Sequence, residues 1–212
     1  MTNKKQKTFQ FIKIQLVGNS GVGKTSLLNV FNDKEFEFNN STTYGVEFET
    51  KEITLGEKTV IVQICDTGGQ EAYRSIPKIY YRNSHGYLFV YDITNYQSFD
   101  EIASWQEDVF NNCKPKVQFI LIGNKKDKED YRKVSIEIAK KYAKENNMSF
   151  LETSAKDNIN VGKAFLQVLE QCVENNVFEV FEATNDRKRV VKSCGLIVNG
   201  VDEKNNDSGK CC

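Results

Sequence analysis

The chain has 212 residues, enough for one domain with a well-buried core and an appendage. Lys and Arg together equal Asp and Glu at 29 each, so no overall field favours nucleic acid or an acidic substrate, and no nucleic-acid partner is expected. No run of about 18 apolar residues is present to span a membrane, residues 1–7 are polar and basic with no secretory apolar region, and six cysteines without paired or His-associated spacing fit reduced thiols rather than zinc or disulfides.

The first strand is predicted over Phe9–Val17, where large apolar and polar residues alternate. It leads into Gly18-Asn19-Ser20-Gly21-Val22-Gly23-Lys24-Thr25-Ser26, which satisfies the phosphate-loop pattern G-x-x-x-x-G-K-[ST] at every fixed position. A helix carrying Leu27, Leu28, Val30 and Phe31 follows, so the loop has the strand-to-helix setting the motif requires. Residues 32–44 are polar and without period, apart from Phe36 and Phe38. Gly45–Leu55 and Thr59–Cys65, joined by a Gly56-Glu57-Lys58 turn, read as a hairpin, and Asp66-Thr67-Gly68-Gly69-Gln70-Glu71 comes directly after it. Gly86–Asp92 is near-continuously apolar, as expected of a strand buried on both faces. Ser98 and Glu101 form a capping box predicted to open a helix whose inner face holds Phe99, Ile102, Ala103, Val109 and Phe110. Val117–Ile122 is another buried strand, ending in Gly123-Asn124-Lys125-Lys126-Asp127. Ser135–Asn146 suits a helix with Ala139, Tyr142 and Ala143 inward, and Ser149–Thr153 a short strand ending in Ser154-Ala155-Lys156. In the last helix Val161, Ala164, Phe165, Val168, Leu169, Cys172 and Val173 keep the i, i+3, i+4, i+7 spacing.

Strands alternating with helices predict an α/β fold of three layers, α/β/α, around a mostly parallel sheet. Ligands of such sheets sit beyond the carboxyl ends of the strands, and the loops at Gly18, Asp66, Asn124 and Ser154 all fall there. Glycines let the phosphate loop aim successive N–H groups at phosphate oxygens, with help from the helix dipole. Lys24 would reach the β- and γ-phosphates, the Thr25 hydroxyl would ligate Mg²⁺, and Asp66 would hold the same ion, through water. Asn124-Lys125-x-Asp127 fits a base reader: a carboxylate accepts from guanine N1–H and the exocyclic amine, and adenine offers neither. Lys125 can lie over the base, Asn124 can tie this loop to the phosphate loop, and the N–H groups of Ala155 and Lys156 can bind guanine O6. His85, before a buried strand and without metal partners nearby, reads as structural.

On these residues the chain resembles the Ras-like small GTPases and, within them, the Rab family, over roughly residues 9–175 and the last two. Carrying the Rab resemblance are GNSGVGKTS with Ser20, the interval of 19 positions from Lys24 to Thr43, Thr43-Tyr44-Gly45-Val46-Glu47-Phe48, Ala72-Tyr73-Arg74-Ser75-Ile76, Tyr80-Tyr81-Arg82, Phe89-Val90-Tyr91-Asp92-Ile93-Thr94 and Glu152-Thr153-Ser154-Ala155-Lys156. The resemblance implies a phosphate-loop fold with a six-stranded sheet and one antiparallel edge. It implies that Gly18, Ser20, Gly21, Val22, Gly23, Lys24, Thr25 and Ser26 cradle the phosphates of GTP or GDP. Thr43 joins Thr25 and Asp66 on Mg²⁺, Phe36 lies against guanine, and Ser154 belongs to the last guanine loop. Gly69 would offer its N–H to the γ-phosphate and Gln70 would orient the attacking water, with Lys24 and Mg²⁺ stabilising charge. Between Thr25 and Thr43 there is no room for a domain carrying an arginine in cis, so slow GTP hydrolysis accelerated by an activating protein is expected, together with an exchange factor and with effectors on Thr43–Phe48 and Gly69–Tyr81.

Three departures stand out: Cys65 replaces a tryptophan of an aromatic effector triad with Phe48 and Tyr80, Gly69 an alanine, and Ala72 an arginine. Residues 1–178 are expected to form the GTPase domain, a monomer. Residues 179–212 are expected to be a flexible tail, with a reach of roughly 30 Å for its polar stretch from Thr184 to Lys210. The tail holds a basic cluster at Arg187-Lys188-Arg189 and Lys192, and an apolar patch at Leu196-Ile197-Val198. Its end, Cys211-Cys212, resembles the doubly prenylated Rab terminus, implying a lipid anchor, a prenyl-shielding carrier and residence on the cytosolic face of an internal membrane. A nucleotide kinase or ATPase would need an acceptor-binding lid rich in Arg and leaves Asn124, Asp127 and Ser154 without an account. A nucleotide-locked scaffold that barely hydrolyses stays open because of Gly69.

Overall fold

The computed structural model describes residues 8–38, 43, 45–68 and 81–182. Its elements are β1 (Thr8–Val17), α1 (Lys24–Phe31), β2 (Val46–Leu55), β3 (Lys58–Thr67), β4 (Gly86–Asp92), α2 (Tyr96–Asp100), α3 (Ile102–Phe110), β5 (Gln118–Asn124), α4 (Ile136–Glu145), β6 (Ser149–Glu152), α5 (Val161–Glu174) and β7 (Glu179–Glu182). The strands run in the order β2-β3-β1-β4-β5-β6, with β2 antiparallel to β3 and the rest parallel. The chain moves from β1 to β3 on one side and to β4 on the other, so the order reverses at β1 and opens a crevice at its carboxyl end.

Alternation along β1 sends Ile12, Ile14 and Leu16 to one face, where they pack with Val62, Ile64, Val90 and Ile122 under α1 and α5. The opposite face carries Tyr87, Phe89, Tyr91 and Leu121 against Phe99, Ile102, Trp105 and Val109, with Ala139 and Ala143 of α4. Three layers therefore form as the sequence predicts.

Three expectations are corrected. The helix cap after β4 is Asn95, whose side chain accepts from Gln97 N; Ser98 is buried inside the turn, where its hydroxyl accepts from Asp92 N at 3.0 Å and donates to Asn95 O at 2.7 Å. The helical spacing continues through Glu101, and the buried stripe is centred on Ile102, Trp105, Gln106 and Val109, so Ala103 and Phe110 fall beyond its edge and face outward. The sheet also gains a seventh strand, because residues 179–182 are not tail but β7, antiparallel to β1 with Thr8 opposite Glu182 and Phe11 opposite Glu179. β4 pairs only Ile14–Val17 on that edge of β1, and β7 supplies hydrogen-bond partners to Thr8–Phe11.

His85 sits where β1, β4 and β7 meet. Its Nδ1 accepts from Lys13 N at 2.9 Å, its carbonyl accepts from Cys172 Sγ at 3.5 Å, and its ring lies edge-on to Phe11. Burial pushes its pKa down to about 4, against the pull of Glu179 on β7 and with Lys114 and Lys13 nearby. The folded state thus resists a proton that the unfolded chain takes up below pH 6.5, and stability falls as pH drops from there towards 4. Between pH 7 and 5 this histidine costs about 2 kcal/mol. In His85→Asn, whose side-chain oxygen can replace Nδ1 as acceptor, unfolding free energies from denaturant titrations at the two pH values should differ less than in the parent by that amount.

Candidate functional site: a nucleotide cleft

The turn from β1 into α1 is built on two glycines. Gly18 has φ +143°, and a Cβ there would lie 2.2 Å from the Val90 carbonyl oxygen. Gly23, at φ +97°, opens α1 where a Cβ would stand 2.4 Å from Asn124 Nδ2. This closeness lets Asn124, the buried last residue of β5, donate from Nδ2 to the Val22 carbonyl at 2.9 Å. Its Oδ1 accepts from Thr153 Oγ1 at 3.1 Å and from Ala155 N at 3.4 Å.

Lys24 is buried, and its ammonium donates to the Gly18 and Asn19 carbonyls at 2.7 and 2.8 Å. Burial pushes its pKa down to about 8, and the charge of Asp66 pulls it back up. A polyanion beside it would favour the ammonium further. Next to it, Thr25 Oγ1 lies 2.5 Å from Asp66 Oδ2 and 2.7 Å from Thr43 Oγ1. Two hydroxyls and a carboxylate brought to one point form the hard oxygen set that suits Mg²⁺.

The loops at Lys125 and Ser154 meet alongside. Ser154 Oγ donates to Asp127 Oδ1 at 2.8 Å and accepts from Asp157 N at 3.0 Å. Lys125 takes a left-handed conformation at φ +68° and pairs with Asp92 Oδ2 at 2.7 Å. Burial works against the Asp92 carboxylate, but hydrogen bonds from Lys125 and Thr94 outweigh it and leave its pKa lowered. One cleft of about 320 Å³ joins all this, lined by Ser20, Gly21, Gly23, Lys24, Thr25, Ser26, Phe36, Thr43, Asn124, Lys125, Asp127, Ala155 and Lys156. Gly18, Val22, Asp66 and Ser154 are not among the lining residues; the first two offer carbonyls to Lys24 and Asn124, the buried Asp66 accepts from Thr25, and Ser154 holds Asp127. Gly69, Gln70, Cys211 and Cys212 lie outside the described residues.

A model of the family described as Ras matches residues 13–174. The chain belongs to the Ras family. It is 40% identical to the GTP-binding protein YPT1 of Saccharomyces cerevisiae over 205 residues, 94% of this chain and 96% of the relative. It is 46% identical to the GTP-binding protein ypt3 of Schizosaccharomyces pombe over 159 residues, 75% and 74% of the two chains. With the Ras-related protein Rab-25 of Oryctolagus cuniculus the identity is 41% over 172 residues, 81% of each. This GTPase is therefore of the Rab type, a small GTPase that hydrolyses GTP to GDP.

Sequence reasoning missed several residues of the cleft. Glu37, Phe38 and Lys128 also line it, and Phe38, packed edge-on against Phe36, carries Lys156 Nζ at 5.5 Å from its ring. Asp92 could have been found by the rule that found Asp66 and Asn124, since it too ends a buried strand at its carboxyl end. Cys65, in the place of the effector tryptophan, is fully buried opposite Phe48, and burial pushes its thiol up to about 12. It therefore adds neither surface nor a reactive thiolate. Asp92→Asn keeps the acceptor for Thr94 and removes the charge that holds Lys125. GDP affinity, read by fluorescent-nucleotide titration, should fall about tenfold, with the unfolding temperature nearly unchanged.

Proposed function

We propose that this GTPase is a membrane-anchored switch of vesicle traffic that binds GTP and GDP with Mg²⁺ and discriminates guanine from adenine through Asp127. The observation that carries the reading is that Asp127, held by the Ser154 hydroxyl, lines the same cleft as Lys24 and Thr25. Against guanine its carboxylate accepts two hydrogen bonds; against adenine it would be buried without them. Thr25, Thr43 and Asp66 would hold Mg²⁺, which supplies neutralisation of charge on the β- and γ-phosphates. Lys24 balances negative charge on the transferred phosphoryl group, Gly69 donates an N–H to it, and Gln70 orients the attacking water. The last two roles rest on the Rab resemblance.

In this reading hydrolysis is slow until an activating protein assists, and an exchange factor reloads GTP. Effectors read Thr43–Phe48 and Gly69–Tyr81 while the γ-phosphate holds them. No helix among the described residues is long and apolar enough to cross a membrane. Attachment falls to prenyl chains on Cys211 and Cys212, because one chain anchors only marginally and two anchor stably. A prenyl-shielding carrier then exchanges the protein between the cytosol and the cytosolic face of an internal membrane.

In competition titrations with Mg²⁺, GTP and GDP should bind about a thousandfold tighter than ATP and ADP. Asp127→Ala should lose most of that preference and keep its fold by circular dichroism. Comparable affinities in the parent would overturn the guanine assignment. For the anchor, cell fractionation of a Cys211→Ser, Cys212→Ser double variant should move the protein from the membrane pellet to the supernatant.

A further inference from the structure

The phosphate loop is gripped from the side through a residue its sequence pattern leaves open. Asn19 is the second residue of that loop. Its Oδ1 accepts from the Trp105 indole N–H on α3 at 2.6 Å, and its Nδ2 donates to Glu101 Oε2, at the junction of α2 and α3, at 2.8 Å. The other oxygen of Glu101 accepts from Gln97 Nε2 on α2 at 2.8 Å. Trp105 is only 3% exposed and its ring packs in the aromatic core beneath. The backbone carbonyl of this same Asn19 accepts from the Lys24 ammonium at 2.8 Å. A carboxamide engaged through both its acceptor and its donor cannot turn without losing one bond. Holding that side chain holds the Asn19 peptide, and with it one of the two carbonyls that aim Lys24.

We propose that Trp105 and Glu101 are positioning residues for nucleotide retention: acting through Asn19, they fix the phosphate loop against α2 and α3 and slow the release of GDP. The proposal rests on the guanine-nucleotide reading. It implies that a partner shifting α3 can loosen the phosphate loop without touching the nucleotide.

The test uses the full-length protein loaded with a fluorescent GDP and Mg²⁺ and chased with unlabelled GDP. Trp105→Phe keeps an aromatic ring and removes the N–H. Asn19→Asp keeps the acceptor for Trp105 but sets a carboxylate against Glu101; adding Glu101→Gln returns a donor between them. Each single variant should release GDP about tenfold faster, the worth of one sheltered hydrogen bond. Asn19→Asp with Glu101→Gln should regain the parental rate, which a merely structural Trp105 would not require. Trp105 is the only tryptophan of the chain, so its emission reports the contact with no nucleotide present. That emission should shift in Asn19→Asp and return in the double variant. Parental release rates in both single variants, or a double variant as fast as Asn19→Asp, overturn the proposal. If Trp105→Phe does not fold, the Asn19 pair decides alone. A parent that retains no guanine nucleotide would overturn the functional reading, an outcome distinct from normal retention that the variants leave unchanged.

Discussion

The buried carboxamide of Asn124 joins three loops that arrive from distant parts of the chain. It bonds the phosphate loop at Val22, and it accepts from Thr153 and Ala155 of the last loop while its own backbone begins the Lys125–Asp127 turn. At 1% exposure such a group is costly unless satisfied, and here donor and acceptor are both engaged. Gly23 makes the approach possible by having no Cβ where Nδ2 passes. Removing this tie would free the Gly18–Ser26 loop from the loops at Lys125 and Ser154.

Further charged contacts brace the same loops. Arg132 bonds Glu152 at 2.7 Å and Glu129 at 2.6 Å, linking the turn after β5 to the end of β6. Lys125 is held by Asp92 of β4. The pairs with Glu152 and Asp92 are largely sheltered, so their worth lies in fixing geometry as much as in raw stability, while the exposed Glu129 adds little. The cleft is thus a rigid frame on strand ends, with Thr43 reaching in from the segment before β2.

The opposite end of β1 is organised by different means. There β7 pairs Thr8–Phe11, so the described chain leaves the domain beside the start of β1, at the far end of that strand from the phosphate loop. The cleft and Glu182 are separated by the length of one strand, with His85 and Glu179 beside that far end of β1.

The sequence by itself determined the parts whose physics is local. Alternation along Phe9–Val17, glycines at Gly18, Gly21 and Gly23, and the spacing of Val161 to Val173 each act within a few neighbouring residues, so strand, phosphate loop and last helix are legible without coordinates. That the loops at Gly18, Asp66, Asn124 and Ser154 share one crevice also followed, because parallel strands put their carboxyl ends on one side. Only the tertiary structure decided what depends on competition or on distant partners. Ser98 looked like a cap until Asp92 N claimed its hydroxyl and Asn95 took the role. Trp105 and Gln106 turned inward to partners on Asn19, Tyr142 and Asn146, which left Phe110 outward. Residues 179–182 became a strand because β1 had an edge to pair about 170 residues earlier in the chain, and no local pattern carries that information.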